Sequence, residues 1–318
     1  MRRRRPRRSL AAAMAVVGAS SLSAVVLAAA PAQAGPAQAL WLARAQAAGP
    51  AGISAVAGEL VNAGTGKAMW ARRAAVQRPI ASLTKVMTAL VVIRAGHLRR
   101  RITITRAEVR YVQTYGASNA GLRAGDILTA RALLYGMLLP SGADAAMALA
   151  QSYGPGIPAF VTKMNALARK LHLRDTQFTN FDGLQQTDVS TPADLIRLGE
   201  AAMREPAFRQ VVGRRWWSLP AQPHRHHYFW RNSNLLLKRY PGVTGIKTGW
   251  TPPAGECLLF YAIHRNKALI GVILDSAPTN SGVTFVDAAR LLNWGFHLNV
   301  PIPPPTPPPL TPRRAAGG

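Results

Sequence analysis

Strand-like segments stand at both ends of this chain, whereas its middle is helical. Before Pro79 and from Trp216 onward, short apolar runs alternate with turn clusters rich in glycine, which is typical of β-strands. Between them, longer apolar runs end at Gly or Pro, which is typical of helices. A sheet in such a chain must be completed by strands from both ends. The pattern therefore predicts an α+β domain with an inserted helical subdomain.

The boundaries of these elements follow from capping and turn residues. Thr129 and Thr191 are placed to cap helices, and Pro192 suits a first helical position. Strands are predicted over 53–62, 67–71, 216–219, 243–248, 256–263 and 268–274. Helices are predicted over 83–95, 129–138, 145–153, 157–171, 191–204 and 283–292.

The N-terminus has the features of an export signal. Six arginines precede an uncharged run over 10–30, which leads into Ala32-Gln33-Ala34, a small-x-small cleavage site. We predict a signal peptide over 1–34, a folded domain over 35–296 and a proline-rich disordered tail over 297–318. The mature chain would then be extracytoplasmic, in the periplasm or envelope or secreted. The alternative is an uncleaved anchor, which would be the chain's one route to membrane association.

The charge balance indicates an anionic partner. Lys and Arg number 39 against 13 Asp and Glu, a formal net charge of +26. Outside the cytoplasm the plausible anion is an envelope polymer or lipid headgroup, and no aromatic-interleaved basic stripe indicates nucleic acid. Codon bias toward Arg is the alternative explanation. Cys257 is the one cysteine, so the core must hold the domain together without disulfides, and this thiol is predicted to be buried and structural.

Two short motifs can carry chemistry. Ser82 and Lys85 have the i,i+3 spacing that puts a hydroxyl and an amine on one face of a helix. A lysine can deprotonate a serine only if its own pKa falls, through burial or a neighbouring cation. The second motif, Lys247-Thr248-Gly249, follows a predicted strand, where the lysine can bind a terminal carboxylate and the glycine permits close backbone approach.

A third segment, Ser141-Gly142, lies between two predicted helices. In this order, Ser82-x-x-Lys85, Ser141-Gly142 and Lys247-Thr248-Gly249 resemble the motif set of serine penicillin-recognising enzymes. The stretch around Ser82 is similar to low-molecular-mass D-alanyl-D-alanine carboxypeptidases in particular. Supporting stretches are 178–184, 190–195 and 232–236. The resemblance implies the serine β-lactamase/DD-peptidase-like fold, an antiparallel five-stranded sheet flanked by helices.

The resemblance also implies roles for individual residues. Ser82 would be the nucleophile, Lys85 its general base, and Ser141 the group that passes a proton to the leaving amine. Lys247 and Thr248 would hold the substrate carboxylate, Gly249 would allow close approach, and the N–H groups of Ser82 and Trp250 would bind the oxyanion. The substrate would be a peptidoglycan stem peptide, β-lactam antibiotics would be inhibitors, and the chemistry needs no metal or cofactor.

Departures from the family pattern keep alternatives open. The family has Asn where this chain has Ala143, so a carboxamide that would hold the substrate is missing. A DD-endopeptidase that cleaves cross-links and a non-catalytic envelope-binding homologue are therefore the alternatives. A β-lactamase is disfavoured, since neither Glu200 nor Glu205 has the context of the deacylating glutamate. The histidines at 224, 226 and 227 are predicted to form a partly exposed strand edge and not a metal site.

Overall fold

The computed structural model describes residues 49–306. The predicted signal peptide lies outside this range, as does the tail after Thr306. No helix within the range combines the length and apolar character needed to cross a lipid bilayer. The beginning of the predicted tail packs against the domain, because the Asn293 side chain bonds both the N–H and the carbonyl of Val300. Pro303 is also buried.

The fold is α+β and centres on one antiparallel five-stranded sheet. Its strands are β1 (Ala57–Asn62), β2 (Lys67–Arg72), β9 (Val243–Thr251), β10 (Gly255–His264) and β11 (Lys267–Leu274), in the order β2-β1-β11-β10-β9. β1 pairs with β11 along its whole length, from Ala57 opposite Leu274 to Asn62 opposite Leu269. The ends of the described domain therefore complete the sheet, as the sequence predicts.

The remaining elements are helices and three short two-stranded sheets. The helices are α1 (Thr84–Ala95), α2 (Arg106–Tyr115), α3 (Ala130–Leu138), α4 (Ala143–Tyr153), α5 (Ile157–Lys170), α6 (Pro192–Arg204), α7 (Pro206–Val212), α8 (Leu236–Arg239) and α9 (Val283–Phe296). The short strands are β3 (Arg78–Pro79) with β6 (Val189–Ser190), β4 (Arg101–Thr103) with β5 (Ile127–Thr129), and β7 (Trp216–Leu219) with β8 (Tyr228–Arg231).

The sheet separates two hydrophobic cores, because successive strand side chains point to opposite faces. On β10, Cys257 and Leu259 belong to the core that contains the helical subdomain, whereas Leu258 and Phe260 pack with α9 on the other face. Cys257 is fully buried and unpaired, as the sequence predicts. Helix α1 is buried from Thr84 to Val92 and forms the centre of the first core.

Eight elements were not predicted from the sequence: α2, α7, α8, β3, β4, β5, β6 and β8. At the start of α2, Thr105 and Glu108 nevertheless form a reciprocal capping box. The histidines at 224, 226 and 227 occupy the turn before β8 and not a strand edge, and His226 bonds Asp126 at 2.7 Å. Asp126 is remote in sequence, so the pattern around the histidines could not reveal it.

Candidate active site

Ser82 and Lys85 lie side by side at the start of the central helix. Ser82 belongs to a 3-10 turn, Ala81–Leu83, that leads directly into α1, and Lys85 follows in the first turn of that helix. The Lys85 Nζ atom is 2.9 Å from Ser82 Oγ and donates a second hydrogen bond, of 2.8 Å, to the Asp182 carbonyl oxygen. Hydroxyl and amine are thus in direct contact before any substrate is present.

Burial changes the proton affinity of Lys85. The side chain is only 2% exposed, and removal from water lowers the pKa of its amine below the ordinary value. The carboxylates of Asp182, Asp144 and Asp188 act in the opposite direction. Desolvation is the larger effect, so burial shifts the amine toward its neutral form, which is the form that can accept a proton from a serine.

A tight turn places the Asp182 carbonyl against Lys85. The Asn180 side-chain oxygen accepts hydrogen bonds from the N–H groups of Asp182 and Gly183. Gly183 has φ +79°, and a Cβ there would overlap the Ala81 carbonyl, so this position needs glycine. Asp188 ties the turn to α1 by accepting bonds from the Asn180 N–H and the Thr84 hydroxyl.

Ser141 occupies the loop between α3 and α4. Its backbone has φ 68°, the left-handed region that side chains other than glycine adopt rarely. The residue is 7% exposed, and its hydroxyl has no hydrogen-bond partner among the described residues. Buried polar atoms are normally paired, so this hydroxyl is available to a ligand or to a proton-transfer partner. The next helix begins at Ala143.

Lys247, Thr248 and Gly249 lie on β9, at the edge of the sheet beside the Ser82 turn. A Cβ on Gly249 would come within 3.1 Å of the Ser82 backbone nitrogen, so the glycine permits this close approach. The Thr248 hydroxyl lies 2.6 Å from the hydroxyl of Ser233. Lys247 is 1% exposed and donates to the Thr248 carbonyl at 2.8 Å. Burial is the main cause that lowers the pKa of Lys247 well below its ordinary value, and the neighbouring Lys85 amine acts in the same direction.

One cavity of about 120 Å³ connects these segments. Its lining includes five predicted site residues, Ser82, Ser141, Thr248, Gly249 and Trp250. Lys85 and Lys247 are not among the lining residues, but each amine bonds a residue that is: Lys85 bonds Ser82 Oγ and Lys247 bonds the Thr248 carbonyl. The structure thus brings together all three motifs, which span more than 160 residues of the sequence.

The sequence comparison decides the family. The profile of the D-alanyl-D-alanine carboxypeptidase family matches residues 44–278. The chain belongs to this family. It is therefore a serine-type peptidase, a hydrolase that acts on the bacterial cell wall.

Similar proteins agree with this assignment. The D-alanyl-D-alanine carboxypeptidase of Streptomyces sp. strain K15 is 39% identical over 259 residues, which cover 77% of this chain and 88% of that protein. The crystal structure of the Streptomyces K15 DD-transpeptidase superposes with a TM-score of 0.74 at 38% identity, covering 79% of this chain and all of that one (100%). A D-alanyl-D-alanine endopeptidase of Pseudomonas aeruginosa is 32% identical over 237 residues, covering 72% and 73% of the two chains.

Two serines line the cavity without having been predicted as site residues of this carboxypeptidase family member. Ser118 lies in the loop after α2, and its carbonyl accepts a 2.8 Å bond from the Ala143 N–H. Ser233 bonds Thr248. The stretch 232–236 supports the family resemblance in the sequence, but Ser233 was not predicted as a site residue. No sequence signal marks Ser118 itself. The nearest signal is the capping box at the start of α2, which indicates the helix before the Ser118 loop and not the loop.

Ala143 itself is 1% exposed and is not part of the cavity lining. Asp144, the next residue, accepts backbone bonds from Ala120 and Leu122 and so fixes the loop that carries Ser118. Within residues 49–306, no three His, Cys, Asp or Glu side chains are grouped to hold a metal ion.

Proposed function

We propose that this protein removes the terminal D-alanine from peptidoglycan stem peptides through a Ser82 acyl-enzyme. The observation that carries the proposal is the 2.9 Å contact between Ser82 Oγ and a buried Lys85 amine of lowered pKa. A neutral amine at this distance accepts the hydroxyl proton as the serine oxygen attacks. The family assignment supports the choice of substrate.

In acylation, Ser82 Oγ bonds to the carbonyl carbon of the penultimate D-alanine, and Lys85 takes the hydroxyl proton. The developing oxyanion lies between the backbone N–H groups of Ser82 and Trp250. The proximity of Gly249 to the Ser82 nitrogen supports this arrangement, because it keeps β9 and the Ser82 turn close together.

Collapse of the tetrahedral intermediate breaks the C–N bond. Ser141, whose hydroxyl has no partner among the described residues, delivers a proton to the departing D-alanine amine and regains one from Lys85. Water then attacks the acyl-enzyme with the same groups working in reverse, and Ser82 recovers its proton. A β-lactam would follow the acylation path, and its acyl-enzyme would persist because deacylation is slow.

The terminal carboxylate of the substrate would bind at Lys247 and Thr248. A carboxylate beside the buried Lys247 amine raises the pKa of that amine and so favours its positive charge. The Ser233–Thr248 contact holds the threonine hydroxyl in place for this role. Export through the signal peptide over 1–34 would deliver the enzyme to its extracytoplasmic substrate.

Mass spectrometry after penicillin treatment tests the proposal. The adduct should lie on the peptide that contains Ser82, and its absence would contradict the nucleophile assignment. Release of free D-alanine from a pentapeptide, compared with cleavage of a cross-linked dimer, separates the carboxypeptidase from the endopeptidase. The endopeptidase deserves this comparison, since a relative of that name is 32% identical. Absence of both activities and of the adduct would favour a non-catalytic binding protein.

A further inference from the structure

A groove beside the active site has no part in the chemistry proposed above. It lies between the β7–β8 hairpin and α8 and has a volume of about 580 Å³. One tripeptide connects it to the catalytic cavity. Asn232 and Asn234 line the groove, whereas Ser233 between them lines the cavity and bonds Thr248. A ligand in the groove would therefore lie next to the substrate site.

The charge of the groove is entirely positive. Its lining includes Arg215, Arg231, Lys238 and Arg239, and no Asp or Glu. No ion pair within residues 49–306 involves any of these four, although arginines elsewhere, such as Arg78, do pair with carboxylates. Cations grouped without a counterion repel one another, and an anionic ligand removes that repulsion.

Two of the residues that line the groove carry a buried hydrogen-bond donor without a partner in the described part of the chain. The side-chain nitrogen of Asn234, a residue only 2% exposed, is buried and unpaired within the described part of the chain. The Arg239 Nη1 atom is also buried and has no hydrogen-bond partner among residues 49–306. Buried donors are almost always satisfied in folded proteins, so a ligand with several acceptor oxygens that reached these two nitrogens would supply the bonds they lack.

Aromatic rings form the outer part of the groove. Trp216 is 58% exposed and Phe229 48% exposed, and the two rings stack with centroids 5.7 Å apart. Exposed aromatic side chains of this size mark interaction surfaces. A flat lipid surface could cover the rings, but it would leave the buried donors of Asn234 and Arg239 unpaired. A flexible anionic chain in the groove can contact the aromatic rings and the cations of the lining together.

We propose that this groove binds an anionic carbohydrate polymer in which phosphodiesters alternate with sugars or polyols. The phosphodiester oxygens would accept bonds from the arginines, whose planar fork matches a phosphate group, and from the Asn234 amide. The carbon face of the sugar or polyol would lie on Trp216, the more exposed of the two rings, because the Arg231 guanidinium already lies over Phe229, 5.7 Å from its ring centroid. An enzyme held in this way keeps its catalytic cavity against the envelope while stem peptides enter and leave.

Binding of the whole protein to phosphomannan tests this proposal, with unphosphorylated mannan as the matched uncharged probe. Phosphomannan should bind and mannan should not, and the affinity should fall as salt increases. The variant Arg231→Gln/Lys238→Gln removes two exposed cations that make no side-chain hydrogen bond within the described residues. Its dissociation constant should rise about five- to tenfold, given what exposed ion pairs contribute.

The charge-matched control is Arg99→Gln/Arg106→Gln, which removes two exposed arginines outside the groove. It should keep the dissociation constant within about twofold, since distant charges are screened.

An equal loss in both variants would show nonspecific attraction and overturn the groove assignment. Equal binding of mannan would overturn the anionic ligand. If the protein bound phosphatidylglycerol vesicles through the groove but did not bind the polymer, the ligand of the groove would be a membrane and not a polymer. Labelling by a fluorescent penicillin, unchanged in both variants, verifies that each is folded and reports on the proposed function separately.

Discussion

The Asp182 carbonyl oxygen accepts a 2.8 Å hydrogen bond from Lys85, a residue 97 positions earlier in the chain. This contact orients the amine, because a neutral lysine that donates one hydrogen to a carbonyl can direct its lone pair to the Ser82 hydroxyl. The turn built around Asn180 holds the carbonyl in place. The reactivity of the serine thus depends on a loop that contributes no side chain to the chemistry.

Ser82→Ala should abolish acylation by penicillin and leave the fold intact, because it removes one oxygen atom from a half-buried position. Mass spectrometry of the treated variant and its melting temperature check the two parts. A stable adduct on the variant would assign the nucleophile to another residue.

The acylation rate should rise with pH and reach a plateau as Lys85 loses its proton. Burial lowers the pKa of this amine, so the midpoint should lie below the ordinary lysine value. Lys85→Arg should reduce the rate about 100-fold or more at every pH, since a guanidinium does not release its proton. A wild-type rate that does not change with pH would count against Lys85 as the base.

Asn180→Ala should slow acylation although Asn180 makes no hydrogen bond to Ser82 or Lys85. It leaves the N–H groups of Asp182 and Gly183 without their acceptor, at a cost of about 1–3 kcal/mol in folding free energy. We expect the midpoint of the pH profile to move as well, because the Asp182 carbonyl is no longer held against the amine. Loss of stability with an unchanged midpoint would show that Asn180 is only structural. Asn180→Asp, which retains an acceptor oxygen, should restore most of the stability.

Lys247→Ala should weaken the binding of carboxylate-bearing substrates by about 2–5 kcal/mol, the usual cost of truncating one partner of a buried charge pair. A substrate amidated at its C-terminus should bind the variant and the wild type almost equally. If the amidated substrate loses as much as the free acid, the lysine does not pair with the carboxylate.

Ala143→Asn would restore the carboxamide of the family motif, but the structure argues against a gain. Ala143 is 1% exposed, and a Cβ on the adjacent Gly142 would already come within 2.6 Å of a backbone oxygen. A larger polar side chain should therefore destabilise the fold by about 1–3 kcal/mol and leave the acylation rate unchanged or lower. Thermal melts and second-order acylation rates, with Ala143→Ser as the smaller step, measure both effects. A several-fold faster variant would show that the missing carboxamide limits the enzyme.

The sequence predicts the order of motifs and most of the elements, since Thr129 and Thr191 do cap helices and β10 and β11 lie where their apolar runs indicate. It does not predict contacts made by backbone atoms, such as the Asp182 carbonyl at Lys85. Nor does it reveal Ser118, because an exposed serine in a loop carries no periodicity or spacing. β9 also runs three residues further than predicted, to Thr251, because pairing with β10 continues past Gly249. Tertiary pairing sets that boundary, and local preference does not.

The pairing of β1 with β11 also constrains the order in which the protein can fold. The β11 partner of β1 lies more than 200 residues later in the chain. Until β11 is present, β1 can pair only with β2, in the hairpin that the two strands form. Contacts of such long sequence separation carry a high entropic cost and are typical of slow folding. The sheet is therefore complete only when the strands of the C-terminal part are present. The Ser82 turn likewise depends on β9, a strand that lies more than 160 residues later in the chain.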